Sequence, residues 1–170
     1  MAYLDADERK TAMNWYLWLK WLHVLSSTVL FGTGLGIAFF FVRAQRTNNV
    51  PIIASVARDV VLADMVFTAT AVIIQTFSGM ALALVAGYSL LAPWLLLSFA
   101  IYFMVGVCWL RVVWLQIWMR DMAIAAAAAS SPLPIQYKRY YRQWFALGWP
   151  AFIGVMAIFY LMVAKPSFAL

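Results

Sequence analysis

Charged residues are scarce in this chain of 170 residues, in which Lys, Arg, Asp and Glu together make up 11%. Soluble globular domains carry about 25% of such residues. Hydrophobic residues account for 66% of the sequence and fall into runs long enough to cross a bilayer. The composition therefore excludes a soluble protein and predicts an integral membrane protein in contact with the lipid bilayer.

Histidine and cysteine are almost missing too, with one residue of each, His23 and Cys108. A single cysteine excludes an intrachain disulfide, and this pair alone excludes a zinc site of the usual kind. The sequence has no phosphate-binding loop or dinucleotide-binding fingerprint. The net charge of +6 does not indicate nucleic-acid binding, because basic residues accumulate in the loops of membrane proteins. Whether the chain is an enzyme stays open at this point.

The sequence does contain four apolar segments, which lie roughly at residues 15–42, 60–88, 94–119 and 144–164. Each is long enough for the ~20 residues that a helix needs to cross the hydrocarbon core. The short alternating segments of a barrel are not seen. We therefore expect an all-α fold, an integral membrane four-helix bundle, in which residues 1–170 form a single transmembrane domain. A polar connection is expected at 43–58. After the third segment, an alanine tract either extends the helix or lies along the interface.

The distribution of Lys and Arg predicts how the bundle is oriented. The connections after the first and third segments hold seven of them: Arg43, Arg46, Arg58, Arg120, Lys138, Arg139 and Arg142. The opposite side holds three: Arg9, Lys10 and Lys165. Because basic residues favour the cytoplasmic side, we expect both termini on the outer side and the two longer connections in the cytoplasm.

His23 is an ionisable residue within the first apolar segment, and Lys20 lies one turn before it on the same helix face. Such side chains cost at least a few kcal/mol in hydrocarbon unless they have a partner. Three interpretations are open for His23. It forms a hydrogen bond to a neighbouring helix, it is an axial ligand of haem iron, or it transfers protons without a cofactor. One histidine cannot supply both axial ligands, so haem would need Met80, Met104 or Lys20, a second copy of the chain, or a five-coordinate iron.

The second segment carries a polar stripe at helical spacing, which must face the interior of the bundle. Its members are Asp64, Thr68, Ala71, Gln75 and Ser78. Small residues recur every fourth position in two places and predict close helix packing. They are Gly79, Ala83 and Gly87 in the second segment, and Gly32 and Gly36 in the first.

Asp64 and Arg111 are expected at a similar depth, near the cytoplasmic side of the second and third segments. Two opposite charges in hydrocarbon are favoured as a pair over two isolated charges. The sequence therefore predicts an ion pair between these residues. The alternative is that Arg111 grips an anionic group of a ligand, such as a haem propionate.

The stretch from Tyr16 to His23, Tyr-Leu-Trp-Leu-Lys-Trp-Leu-His, resembles two related families. One is a bacterial family of small four-helix integral membrane proteins of unknown function. That resemblance extends over nearly the whole chain, including Val112–Met122 and Trp144–Pro150. It implies the fold and a multi-pass protein of the bacterial inner membrane, so that the outer side predicted for both termini would be the periplasm, but it implies no activity. The other family is the membrane-bound, haem-containing protoporphyrinogen oxidase of the HemJ type, and this resemblance implies haem ligation by His23.

The leading hypothesis is therefore a bundle that holds haem b with His23 as the metal ligand. It would act in redox or tetrapyrrole metabolism, and its electrons would pass to a quinone or another chain. Gly79 would open a flat slot for the porphyrin, and Lys20 or Arg111 would meet a propionate. A non-catalytic accessory subunit of a larger membrane complex, or a homo-oligomer, fits the same composition. A carrier of protons or small solutes is the third hypothesis.

Overall fold

The computed structural model describes residues 6–166, so the two chain termini whose side of the membrane we predicted lie outside the described residues. This part of the chain forms the helices α1 (Ala6–Arg46), α2 (Val50–Ala63), α3 (Ala69–Val85), α4 (Pro93–Ala128) and α5 (Ile135–Ala164). One π-helical turn, Asp64–Thr68, joins α2 and α3 into a continuous helix. Four continuous helices are thus long and apolar enough to cross a membrane. The expectation of an all-α, four-helix membrane bundle is confirmed.

The predicted polar connection at 43–58 is wrong over most of its length, because α2 already begins at Val50. The side chain of Asn49 caps this helix by accepting a hydrogen bond from the Ile52 backbone N–H at 3.2 Å. Pro51 lies in the first turn, where its missing N–H leaves no helical hydrogen bond unmade. The link between α1 and α2 is therefore reduced to residues 47–49.

The connection after the third segment is also shorter than the sequence suggested. Alanine is the best helix former, and the alanine tract extends α4 as far as Ala128. The next helix begins at Ile135, directly after Pro134. The basic and aromatic stretch of residues 137–142 therefore belongs to α5 and not to a loop. We call the end of the bundle that carries the links at 47–49 and 129–134 the basic end.

The most tightly packed part of the bundle lies at the basic end. The side chains of Phe41, Leu115 and Met119 are fully buried there. The ring of Phe41 meets that of Trp144 edge to face, with centroids 5.1 Å apart. The Tyr137 hydroxyl, also buried, accepts a hydrogen bond from the Gln45 amide. These contacts join α1, α4 and α5 to one another, and α2 packs against α1 and α4.

Towards the opposite end, the four helices pack as two pairs, and the contacts within each pair are closer than those between the pairs. Helix α1 packs along α3, and α4 packs along α5. Gly154 permits the close approach of α4 and α5, because a Cβ at this position would lie 2.6 Å from Cγ2 of Val105. The chain turns from α3 towards α4 at Gly87, whose φ of 74° favours glycine. A cavity lies between the two helix pairs.

Candidate functional site

His23 lies at the contact between α1 and α3 and forms hydrogen bonds through both nitrogens of its ring. Its Nδ1 is 3.0 Å from the Ser78 hydroxyl, and its Nε2 is 3.1 Å from the Gln75 amide nitrogen. The hydroxyl of Ser26 in turn donates to the amide oxygen of Gln75. We call His23, Ser26, Gln75 and Ser78 the histidine cluster.

The hydrogen bonds of the histidine cluster fix one arrangement of protons. The Ser78 hydroxyl donates to the Ile74 carbonyl oxygen at 2.6 Å, so its oxygen accepts from Nδ1–H of His23. Nε2 is then the acceptor, and the Gln75 amide N–H donates to it. The ring is neutral in this arrangement, and neither nitrogen is free. This geometry corresponds to the first of the three interpretations of His23, in which the side chain forms hydrogen bonds to a neighbouring helix.

Gly79 faces the histidine ring directly. A Cβ at Gly79 would lie 2.8 Å from Cε1 of His23, which is closer than two carbon atoms can pack. The imidazole therefore fills the space that the missing side chain leaves, and the flat slot expected there for a porphyrin is not open. Lys20 is exposed, with its ammonium group 5.7 Å from the centre of the Tyr16 ring. The structure thus brings together His23 and Gly79 but not Lys20.

These positions do not fit haem as the side chains stand. Ligation of iron would require one ring nitrogen to give up its bond to Gln75 or Ser78. In the part of the chain that the structure describes, no three His, Cys, Asp or Glu side chains lie together as metal ligands.

Asp64 forms a second polar cluster nearer to the basic end. Its carboxylate accepts a hydrogen bond from the Trp109 indole N–H at 3.1 Å. With its amide nitrogen turned towards Asp64, Gln116 donates to the other carboxylate oxygen at 2.7 Å. The amide oxygen of Gln116 then accepts from the Trp144 indole N–H at 3.2 Å. We call Asp64, Thr68, Trp109, Gln116 and Trp144 the aspartate cluster.

The predicted ion pair between Asp64 and Arg111 is wrong. Arg111 is exposed, and its guanidinium carbon lies 5.6 Å from the centre of the Trp118 ring. Trp109 and Gln116 are seven residues apart, which places both on the face of α4 that meets Asp64. Arg111 follows Trp109 by two residues, about 200° further around the helix, so it points away. Arg120 and Asp121 do form an ion pair, between neighbours on α4.

The polar stripe of the second span does face the interior, as predicted. Asp64, Thr68, Ala71 and Ser78 are buried, and Gln75 is half-buried within the histidine cluster. The packing role predicted for small residues holds at Gly79 and at the buried Ala83. Within residues 6–166 no such packing is seen at Gly32, Gly36 and Gly87, where a Cβ would meet nothing within 4 Å.

The cavity between the helix pairs has a volume of about 420 Å³ and apolar walls. Asp64, Thr68 and Gln116 line it towards the basic end, and Gln75 lines it further along. Thr68 is 5% exposed, and its hydroxyl adjoins the Asp64 carboxylate without forming a hydrogen bond of normal geometry in residues 6–166. Buried hydroxyl groups normally have a partner, so this vacancy next to a cavity calls for an explanation.

Sequence reasoning found Asp64 and Thr68 but missed the residues from other helices that complete the aspartate cluster. Trp109, Gln116 and Trp144 have no counterpart in the predicted site. Gln116 carried a usable signal, because it is an uncharged polar residue in an otherwise apolar stretch and must find a partner in lipid. Its partner could not be named, because the sequence does not give the relative rotation of two helices.

The comparisons with known proteins agree with the architecture. Residues 17–166 match the family model described as a predicted integral membrane protein, DUF2269. No curated protein and no solved structure matches the chain. Because the matched segment covers most of the sequence and contains all four spans, the chain belongs to the DUF2269 family of integral membrane proteins.

Proposed function

We propose that this protein binds an elongated, mainly apolar small molecule in the cavity at the centre of the bundle. The observation that carries the proposal is the combination of mainly apolar walls with Asp64 and Thr68 near the basic end, where the buried Thr68 hydroxyl forms no hydrogen bond of normal geometry. The volume of about 420 Å³ lies within the range of roughly 300–1,000 Å³ that small-molecule sites occupy.

The cavity is elongated along the bundle axis, as an elongated ligand requires. Asp64 and Gln75 both line it, and eleven residues of helix separate them. At a rise of about 1.5 Å per residue, the cavity extends over roughly 16 Å along the bundle axis. Gly34, Gly106 and Gly148 line the walls, and a Cβ at each would meet nothing within 4 Å. This shape suits an extended chain or a row of fused rings.

The membrane setting determines what such a site can use for affinity. An apolar molecule in a bilayer is already surrounded by hydrocarbon, so apolar walls supply shape and dispersion contacts but little hydrophobic driving force. Selectivity must therefore come mainly from the polar end, where Asp64 and Thr68 lie.

Two glycines of α1 offer a matched test of the proposal. Gly34 lines the cavity, whereas Gly32 does not, and both positions have open space where a Cβ would stand. Gly34→Leu should fill part of the cavity, whereas Gly32→Leu should add a side chain outside it. Native mass spectrometry of the purified protein with 1-dodecanol as the probe would measure the difference. We expect one retained molecule per chain in the wild type and in Gly32→Leu, with a loss in Gly34→Leu. Equal retention by both variants, or none by the wild type, would overturn the proposal.

The haem b hypothesis, with its role in redox or tetrapyrrole metabolism and a quinone as electron acceptor, stays a prediction. The similarity to the oxidase rests on the motif that ends at His23, and the geometry around this ring counts against ligation. A Soret band that His23→Ala abolishes would support haem, and a colourless purified protein would contradict it. The accessory-subunit hypothesis predicts instead that a partner copurifies in a fixed ratio.

The orientation, with the basic end in the cytoplasm of a bacterial inner membrane, also stays a proposal. It rests on seven basic residues near the basic end against three on the other side. Ile135 is exposed at the start of α5, which makes it a suitable reporter. We expect Ile135→Cys to resist a membrane-impermeant thiol reagent in intact cells and to react after lysis. Labelling in intact cells would instead indicate the opposite orientation.

A further inference from the structure

The carboxylate of Asp64 is buried without a compensating positive charge. It is 4% exposed, and its hydrogen bonds come from the neutral N–H groups of Trp109 and Gln116. The nearby basic residues of the same helix and of α4, Arg58 and Arg111, are both exposed. A buried charge is strongly destabilising when no opposite charge accompanies it. A carboxyl group in this position either takes up a proton or binds a cation, and the described chain provides no cation beside it.

Thr68 borders the same end of the cavity. Its hydroxyl adjoins the Asp64 carboxylate but makes no hydrogen bond of normal geometry in the described residues, so it can still donate to or accept from a ligand. Asp64 and Thr68 are the first and last residues of the π-helical turn, in which the Ala69 N–H bonds back to the Asp64 carbonyl oxygen. Such turns are rare and occur frequently at functional sites.

The other lining residues narrow the chemistry of the occupant. Aromatic side chains line the cavity, among them Trp109, Trp144 and Tyr102. No Lys or Arg of residues 6–166 is among the lining residues, so an anionic or phosphate-bearing head group would lack a counter-charge. We infer that Asp64 and Thr68 bind the protonated amine of an apolar-tailed primary amine, whose N–H groups reach the carboxylate and the hydroxyl. This inference rests on the proposed function, because the tail must occupy the cavity.

The test compares two probes of equal chain length, dodecylamine and 1-dodecanol, on the full-length protein. Asp64→Asn removes the charge but keeps the size of the side chain, and Asp59→Asn removes an exposed charge of the same helix as a control. We expect Asp64→Asn to lower the affinity for dodecylamine by about tenfold or more, because it removes the carboxylate that pairs with the ammonium group. Binding of 1-dodecanol should change by less than about twofold, and Asp59→Asn should leave both probes unaffected.

Thr68→Val keeps the inference testable if Asp64→Asn does not fold. It replaces the hydroxyl beside the Asp64 carboxylate with a methyl group and keeps the hydrogen bonds that Trp109 and Gln116 donate to Asp64. It should weaken dodecylamine binding by about threefold to tenfold. An unchanged affinity of Asp64→Asn for dodecylamine would overturn the inference. If Asp64→Asn does not fold, an unchanged affinity of Thr68→Val for dodecylamine would overturn it instead. If 1-dodecanol binds normally in that case, the proposed function stands. If neither probe binds the wild type, both fail.

Discussion

The histidine cluster and the aspartate cluster are both polar groups inside lipid-spanning helices, but they differ in how completely the protein satisfies them. Both ring nitrogens of His23 have partners, and those partners are bonded in turn. The aspartate cluster leaves the Thr68 hydroxyl without a hydrogen bond of normal geometry and the Asp64 carboxyl group without a basic partner, and it borders a cavity. A closed network of this kind clamps two helices together, whereas an incomplete one beside a void suits a ligand.

The two clusters also differ in their local backbone. At the histidine cluster, Gly79 lets α1 and α3 approach until the imidazole fills the gap between them. At the aspartate cluster, a π-helical turn interrupts the α-helical hydrogen-bond pattern. Substitutions in the first cluster should therefore act on stability, and substitutions in the second should act on binding.

The largest effect on stability is expected for Gly79→Leu. Its side chain would displace His23 and break the hydrogen bonds to Gln75 and Ser78. Overpacking together with lost buried hydrogen bonds should destabilise the bundle by about 3 kcal/mol or more. Thermal unfolding in detergent would show a much lower midpoint than for Gly32→Leu. Equal midpoints would show that the His23 contact is absent.

His23→Ala should come next, with a loss of about 2–3 kcal/mol, because it leaves a void and two polar side chains without their partner. Val24→Ala is the matched control, since Val24 is the exposed neighbour of His23 on α1. The measurement is again the unfolding midpoint in detergent. If His23→Ala unfolds no earlier than Val24→Ala, the histidine cluster is not a clamp.

A smaller effect is expected for Asp64→Asn, at about 1 kcal/mol or less in the absence of ligand. Asparagine keeps one acceptor oxygen for Trp109 or Gln116, and no basic partner is left unpaired by the change. The same unfolding assay would compare it with His23→Ala. A loss as large as that of His23→Ala would mean that the aspartate cluster is structural as well, and the contrast between the clusters would disappear.

The smallest effect is expected for Arg111→Gln. The exposed guanidinium group contacts the Trp118 ring but not Asp64, so its loss should change stability by less than about 0.5 kcal/mol. An ion pair with Asp64, as the sequence suggested, would instead make this substitution cost a few kcal/mol. If the unfolding midpoint of Arg111→Gln were many degrees below that of the wild type, the result would support the ion pair with Asp64.

The sequence by itself determined the four helices and the inward-facing stripe of the second span. Long apolar runs can satisfy their backbone in lipid only as helices, and a polar side chain within such a run must turn towards protein. The same reasoning placed His23, Gln75 and Ser78 inside the bundle before any contact was known. These conclusions depend on local composition and helical spacing alone.

Only the tertiary structure decided which polar groups meet. Whether Asp64 faces Arg111 or Trp109 depends on how far α4 is rotated about its own axis. One turn of helix brings every face of α4 within a few ångströms of the same depth, so matched depth could not distinguish the two. The cavity could not be predicted from the sequence either, because a void depends on how four helices pack together. Its presence beside Thr68 arises from the packing of α1, α3, α4 and α5, which no single segment of the sequence encodes.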